Sequence, residues 1–127
     1  MHFATKFAAA ALAMLLATAP VLAADPTGTW QSANGESRYK VTYCGKSKQL
    51  CAKLTWLRSD ARTVENLPYL NHFVVVGAVR TDDNTWNGQV SYGGQTFSGN
   101  LVMTSDNTLR LNGCKGMFCK TMSFSRV

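Results

Sequence analysis

Four cysteines and one histidine are the residues beyond the N-terminal segment whose chemistry suits a metal site or a redox centre. The cysteines are spaced as C-x6-C, at Cys44 and Cys51, and as C-x4-C, at Cys114 and Cys119. His72 has no second ligand at a spacing typical of zinc sites. An even number of cysteines in a small exported domain favours two disulfides instead. We therefore expect no metal site.

The carboxylates do not form a recognisable catalytic set. They are Asp25, Glu36, Asp60, Glu65, Asp82, Asp83 and Asp106. Most fall in predicted turns, where solvated acidic side chains are ordinary. The chain has no G-x-S-x-G motif, no glycine-rich phosphate loop and no Ser/His/Asp combination. We expect no catalytic residue and no cofactor, and we interpret the protein as non-enzymatic.

Residues 1–23 have the pattern of a secretory signal peptide. Lys6 precedes the apolar run "AAAALAMLLATAPVLA", which ends in small residues. The run is short for a bilayer span, which needs about 20 apolar residues, and this argues against a membrane anchor. The segment contains no cysteine for lipid attachment. The sequence predicts cleavage after Ala23 and a periplasmic or secreted protein without a membrane span.

Residues 24–127 have the length of one domain. Loss of Lys6 lowers the net charge from +6 to +5, so this domain is distinctly basic. A basic surface favours anionic partners such as an anionic envelope component, although many exported proteins are simply basic and soluble. No nucleic-acid-binding motif is present, and the predicted compartment argues against nucleic acid as a partner.

The segments around the first cysteine pair alternate between apolar and polar residues, as half-buried β-strands do. The polar stretch "GKSKQ" between them is typical of a hairpin loop. Placing Cys44 opposite Cys51 brings apolar side chains together on one face, Val41 with Leu54 and Tyr39 with Trp56.

The C-terminal segment gives the same result independently. Placing Cys114 opposite Cys119 pairs Leu111 with Met122 and Leu109 with Phe124. Both hairpins thus accept a local disulfide without disturbing the apolar register. We favour Cys44 with Cys51 and Cys114 with Cys119, while a bridge between the two hairpins also satisfies the cysteine count.

The middle of the chain supplies the remaining strands. "HFVVVGAVR" and "TWNGQVSY" are separated by the turn "TDDN", and Gly93 and Gly94 form a two-residue hairpin turn. That turn pairs Val90 with Phe97, Gly88 with Gly99, and Trp86 with Leu101. The segment "RSDARTVENLPYLN" is the one long irregular connection. With "GTWQS" at the front, the count is about eight strands.

An antiparallel meander of eight strands with one apolar face tends to close, because closure removes its exposed edges. We therefore predict a single antiparallel up-and-down barrel. Closure would place the first strand beside the last, with Arg126 pointing inward where Trp30 lies. A guanidinium over an indole contributes about 0.5–2 kcal/mol. We predict that Trp30 and Arg126 form a clasp that closes the barrel.

The Gly-x-Trp of the first strand and the arginine of the last are similar to the signature of the calycin superfamily, the lipocalin-like barrels. More closely, the chain resembles a family of small exported bacterial proteins known only as a domain of unknown function. The matching stretches are "GTW", "YCGKSKQLCAKLTWL", "WNGQVSYGGQTFSGNL" and "LRLNGCKGMFCKTMSFSRV". The chain departs from that family at Phe124, where tryptophan is usual, and at "VENLPYLN", where an Asp/Asn-Pro stretch is reduced. The resemblance implies a barrel in the cell envelope and no established activity.

Two kinds of binding site are compatible with such a barrel. The interior could hold a small apolar ligand or could simply be filled by its own side chains, since eight strands enclose little space. The candidate ligand-facing residues are Tyr39, Trp56, Trp86, Phe97 and Phe124.

Alternatively, a basic patch on the surface could bind an anionic envelope component or a protein, for example as an inhibitor, if both disulfide hairpins end on one side. Its candidate residues are Lys46, Lys48, Lys53, Lys115 and Lys120. A basic protein is poorly matched to basic lysozymes, which argues against lysozyme inhibition. We expect a monomer.

Overall fold

The computed structural model describes residues 24–92 and 94–127, and within them eight antiparallel strands close into one barrel in chain order. The strands are β1 (Gly28–Ser32), β2 (Ser37–Cys44), β3 (Gln49–Leu57), β4 (Phe73–Asp82), β5 (Thr85–Tyr92), β6 (Gln95–Ser105), β7 (Thr108–Lys115) and β8 (Phe118–Arg126). The predicted up-and-down barrel is confirmed. The predicted signal peptide and Gly93 lie outside the described residues.

Two of the predicted strand registers are confirmed residue by residue. In the β5–β6 pair, Val90 lies opposite Phe97 and Gly88 opposite Gly99. In the β7–β8 pair, Leu111 lies opposite Met122 and Leu109 opposite Phe124. Both predicted disulfides are present, Cys44–Cys51 and Cys114–Cys119, and the second joins two directly opposite residues.

The predicted β2–β3 register is wrong by two residues. Tyr39 lies opposite Leu54, and the first disulfide joins its cysteines diagonally because Cys44 pairs with Gln49. A shift of two residues keeps every side chain on its face, so the disulfide still forms. Further along β3, Thr55 is an extra residue in a β-bulge between Leu54 and Trp56.

The bulge corrects the prediction for Trp56. It reverses the alternation, so Leu57 is buried while Trp56 is 37% exposed on the outer face of the barrel. There the Arg38 guanidinium lies 4.7 Å from the centre of the Trp56 ring. Trp56 therefore does not face the interior.

The barrel has two different ends, because successive turns of a meander alternate between them. The plugged end carries residues 24–27, the chain terminus and the β2–β3, β4–β5 and β6–β7 turns. The mouth end carries the β1–β2, β5–β6 and β7–β8 turns and the connection 58–72. That connection contains two short 3-10 turns, Ser59–Ala61 and Leu67–Tyr69.

Three glycines lie side by side on the inner face of neighbouring strands. Gly88 of β5 pairs with Gly99 of β6, which pairs with Gly113 of β7. A Cβ atom on Gly88 would come within 2.9 Å of the Ala78 backbone, and one on Gly99 within 2.7 Å of Val90 Cγ2. The space that side chains would take at these positions is instead filled by residues of the neighbouring strands, Ala78 of β4, Val90 of β5 and Phe97 of β6.

Replacement of Gly88 by alanine should destabilise the barrel by about 1–3 kcal/mol, because the new methyl group meets backbone rather than a movable side chain. Gly113→Ala should cost less, since the atom in its way is on the Phe97 ring, which can rotate. Ser98→Ala, on the outer face of β6, is the control. Urea unfolding gives the free energy of unfolding of all three variants. A loss for Gly88→Ala no greater than that for Ser98→Ala would contradict the close approach of Ala78 to Gly88.

Candidate functional site

The barrel encloses an apolar cavity of about 60 Å³. A cavity holds a water molecule from about 10–15 Å³, while an engineered cavity of about 150 Å³ binds benzene. The space is therefore real but narrow. Its lining residues are Trp30, Tyr39, Val41, Ala52, Val74, Val75, Val90, Tyr92, Leu101, Leu109, Leu111, Met122 and Phe124.

Apart from the Trp30 N–H, the polar side-chain groups of the lining residues are the hydroxyls of Tyr39 and Tyr92. Tyr39 packs edge-on against Phe124, with 5.5 Å between ring centres. Burial raises the pKa of Tyr39 above its ordinary value, so its hydroxyl stays neutral. Tyr92 is half-buried at the mouth end of β5 and stacks on Tyr69, with ring centres 5.9 Å apart. The cavity therefore presents an uncharged surface with hydroxyl groups near the mouth.

The floor of the cavity is Trp30, which is completely buried. Its Nε1 donates a 2.8 Å hydrogen bond to the Pro26 carbonyl. Arg126 lies directly opposite on β8, with its guanidinium 4.3 Å from the Trp30 ring centre. The same guanidinium donates to the carbonyls of Thr27 at 2.6 Å, Asp25 at 3.1 Å and Asp106 at 2.9 Å. The predicted pair is thus in contact, and it fastens the N-terminal segment across the barrel end.

A second arginine–tryptophan pair holds the same segment from the other side. Arg80 of β4 lies opposite Trp86 of β5, with the guanidinium 4.5 Å from the ring centre. Arg80 also donates to the Ala24 carbonyl at 3.0 Å and to the Asp83 carbonyl at 2.6 Å. Trp86 is fully buried, and its Nε1 has no hydrogen-bond partner in the described part of the chain. The sequence interpretation missed this pair, although the two residues flank one short turn.

The N-terminal segment also has its own local restraint. Asp25 accepts hydrogen bonds from the Thr27 N–H at 3.0 Å and from the Thr27 hydroxyl at 2.8 Å. Both bonds favour the ionised carboxylate, the backbone bond more than the hydroxyl bond, and so hold the pKa of Asp25 below its usual value. Residues 24–27 thus form a fixed plug under the cavity.

The long connection folds over one side of the mouth. The Gly94 N–H donates to the Tyr69 hydroxyl at 2.9 Å, which ties the connection to the β5–β6 turn. Leu54 and Asn71 continue the β3 pairing, since the Asn71 N–H donates to the Leu54 carbonyl at 2.7 Å. Tyr69 and Leu70 pack against the core. The rest of the mouth is bordered by the β1–β2 turn and the β7–β8 hairpin.

Residues 28–126 match the family described as uncharacterized proteins conserved in bacteria, DUF2147. The chain belongs to this family. Comparison with curated proteins gives no match. Among solved structures, the barrel is similar to protein HP1028 from Helicobacter pylori, described as belonging to the lipocalin family. The TM-score is 0.60 and the identity 13%, over 82% of this chain and 84% of that one. A redesigned β-barrel matches with a TM-score of 0.48 and 18% identity, over 80% and 90% of the two chains. The HP1028 likeness shows a lipocalin-like fold.

In this member of the family, the predicted ligand-facing residues have three different placements. Tyr39 and Phe124 line the cavity. Trp86 is buried at the plugged end, and Phe97 lies with its ring over Gly113, so neither is among the lining residues. Trp56 is on the outer face, as described above. Tyr92 and Met122 line the cavity without having been predicted.

The lysines of the predicted basic patch do not come together. Lys46 and Lys48 lie in the β2–β3 turn at the plugged end, whereas Lys115 and Lys120 lie in the β7–β8 hairpin at the mouth end. Lys53 is on the side wall, where its ammonium lies 5.7 Å from the Phe73 ring centre. The lysines were expected to form one patch if both disulfide hairpins ended on one side of the barrel. The two hairpins end at opposite ends instead.

The acidic residues of the described chain lie at the ends of the barrel. Asp25, Asp82, Asp83 and Asp106 are at the plugged end, and Glu36, Asp60 and Glu65 are at the mouth end. None of them lines the cavity. Within residues 24–92 and 94–127, no group of three metal-binding side chains is close enough to hold an ion, and no helix has the length and apolar character to cross a bilayer.

Arg126→Ala and Trp30→Ala should each destabilise the protein, and the double mutant should cost less than the sum of the two. The reason is that each single change already removes the shared contact. We expect a coupling free energy approaching about 2 kcal/mol, the upper range for a desolvated cation–π pair. If Trp30→Ala yields too little folded protein, Trp30→Leu replaces it.

The Arg38–Trp56 pair on the outer face is a matched control for this cycle. Its guanidinium-to-ring distance of 4.7 Å is similar, but the pair is exposed to solvent. Its coupling should be about 0.5 kcal/mol. Urea unfolding of both sets of variants gives the two coupling energies. Additive effects at Trp30 and Arg126 would show that no clasp exists.

Proposed function

We propose that this protein is a non-enzymatic binding protein that holds one slender apolar molecule, or the apolar end of one, inside its barrel. The observation that carries the proposal is the uncharged cavity of about 60 Å³ above the Trp30 floor. Ligand sites in proteins are typically concave and mostly apolar, with a few polar groups that orient the ligand. Here Tyr39 and Tyr92 are the lining residues that carry hydroxyl groups.

The size and the closure of the barrel limit the ligand and its route. The cavity of about 60 Å³ is well below the roughly 150 Å³ of an engineered cavity that binds benzene, so the space suits a narrow chain rather than a ring system. The plug fastened by Arg80 and Arg126 blocks one end, which leaves the mouth as the entry. A ligand that enters there would pass the Tyr69–Tyr92 stack. The absence of carboxylates from the cavity lining supports binding without catalysis.

We also propose that the protein is exported, a location that suits this function. The two disulfides are typical of an oxidising compartment outside the cytoplasm. Together with the predicted signal peptide, they favour a periplasmic or secreted protein. Such a protein would carry or sequester an apolar compound that is poorly soluble in water.

Native mass spectrometry of protein purified from the periplasm tests the proposal directly. We expect an excess mass from a bound apolar compound, or a rise in melting temperature when straight-chain alcohols of increasing length are added. A bare mass together with no thermal shift for any chain length would refute a ligand-binding cavity.

Two lining residues allow the cavity to be changed in opposite directions. Ala52→Leu fills it and should weaken alcohol binding, whereas Leu111→Ala enlarges it and should strengthen binding despite a loss of stability of about 2–5 kcal/mol. Val76→Leu, on the exposed outer face of β4, is the control and should change neither. Equal alcohol binding by all three variants would place the ligand outside the cavity.

A further inference from the structure

The β7–β8 hairpin projects beyond the wall of the barrel. All eight residues from Cys114 to Thr121 are exposed, whereas Gly113 below them on β7 is buried. An isolated pair of strands is only marginally stable in water. The Cys114–Cys119 disulfide lies where the pairing with β6 ends, at Cys114 opposite Ser98, and it holds the tip beyond that point in shape. The chain therefore maintains a rigid extension that contributes no side chain to the core.

The end of this extension is apolar. Met117 is 95% exposed and Phe118 is 84% exposed, and they are adjacent in the chain. Single exposed apolar side chains are normal, but hairpin tips are usually polar. The other stapled hairpin provides the comparison within the same molecule. Its tip carries Lys46, Ser47 and Lys48, and its Cys51 is buried against the barrel.

Cations flank the apolar tip, and no acid lies nearby in the same hairpin. Lys115 and Lys120 stand on either side of Met117 and Phe118, and the chain has no carboxylate side chain after Asp106. At the mouth end, Arg58 lies 2.6 Å from Asp60 and 3.7 Å from Glu36 and offsets one of their two negative charges, and Glu65 is a further acid of the connection. The hairpin thus combines apolar side chains with two positive charges and contains no acid of its own.

We propose that the tip formed by residues 115–120 inserts into the interface of an anionic lipid bilayer. Apolar side chains at the level of the headgroups, with lysines beside them, are the combination that binds such surfaces. A stable protein interface buries about 800 Å² on each partner, which a six-residue tip does not supply. Insertion into a bilayer needs only the two side chains and their flanking charges.

The position of the tip gives the docking a consequence. Val64 and Leu67, in the connection at the same end, are also exposed apolar residues. Docking through the tip would turn the mouth toward the lipid, so that an apolar ligand could pass between membrane and cavity. This consequence rests on the proposed function, but membrane binding itself does not.

Flotation with vesicles tests the docking in the absence of any added ligand. The full chain should bind vesicles of mixed phosphatidylcholine and phosphatidylglycerol and should bind phosphatidylcholine alone much more weakly. The double variant Met117→Ser with Phe118→Ser should weaken binding by about tenfold or more while leaving the melting temperature unchanged. Val76→Ser with Val79→Ser, on the exposed wall of β4, should leave binding unchanged.

The charges have an equally matched control. Lys115→Gln with Lys120→Gln should weaken vesicle binding by about 30-fold, since each lysine near an anionic surface contributes about fivefold. Lys46→Gln with Lys48→Gln removes the same charge from the plugged end and should have a much smaller effect. Ala52→Leu, which fills the cavity, should not change vesicle binding, so this test is independent of the ligand proposal.

Depth of insertion identifies the contacting surface. With the emission of the parent protein subtracted, to remove the contribution of Trp30, Trp56 and Trp86, the added emission of Phe118→Trp should be quenched by brominated lipids and that of Val76→Trp should not. Failure of the full chain to bind mixed vesicles, or equal effects of the tip and wall variants, would overturn the proposal. So would quenching at Val76→Trp without quenching at Phe118→Trp, which would indicate docking through the wall.

Discussion

Closure of the barrel depends on the pairing of its shortest strand with its last one. β1 has five residues, and its central residue, Trp30, lies opposite Arg126 of β8. The guanidinium covers the indole and, in the same position, binds carbonyls on both sides of the seam. Without this contact two strand edges would be exposed and the cavity would have no floor. The fold and the candidate site therefore share one interaction.

The plug is held twice, which explains why so short a segment can close a barrel. Arg126 binds the carbonyls of Asp25 and Thr27, and Arg80 binds that of Ala24 from the opposite wall. Each arginine stacks on a buried tryptophan, so its charge stays in contact with polar backbone while its flat face covers apolar surface. Residues 24–27 thus close one end of the barrel, and the mouth remains the route to the cavity.

Sequence periodicity predicted the strands well because most turns are tight. In the β7–β8 hairpin, the disulfide and the short tip leave one register that keeps apolar residues on one face. The prediction failed at Trp56 because a single extra residue, Thr55, reverses the alternation without altering the pattern on either side. The separation of Lys46 from Lys115 was predictable in principle, because successive turns of a meander alternate between the two ends of a barrel. Lys46 lies in the second turn and Lys115 borders the seventh, so they fall at opposite ends. The cavity was not predictable, because its volume depends on how the side chains that line it pack against one another, which strand periodicity does not determine.

The two stapled hairpins show that one device serves different purposes at the two ends. At the plugged end, the Cys44–Cys51 bridge lies against the barrel and its tip is polar, so it adds stability to a wall that solvent covers. At the mouth end, the Cys114–Cys119 bridge stiffens a tip whose residues are all exposed, beyond the last β6–β7 pair, Ser98 with Cys114. A disulfide there does little for the core but fixes the direction in which Met117 and Phe118 point. Stiffness in an exposed apolar tip lowers the entropy lost on docking, and that gain appears only when something outside the molecule is bound.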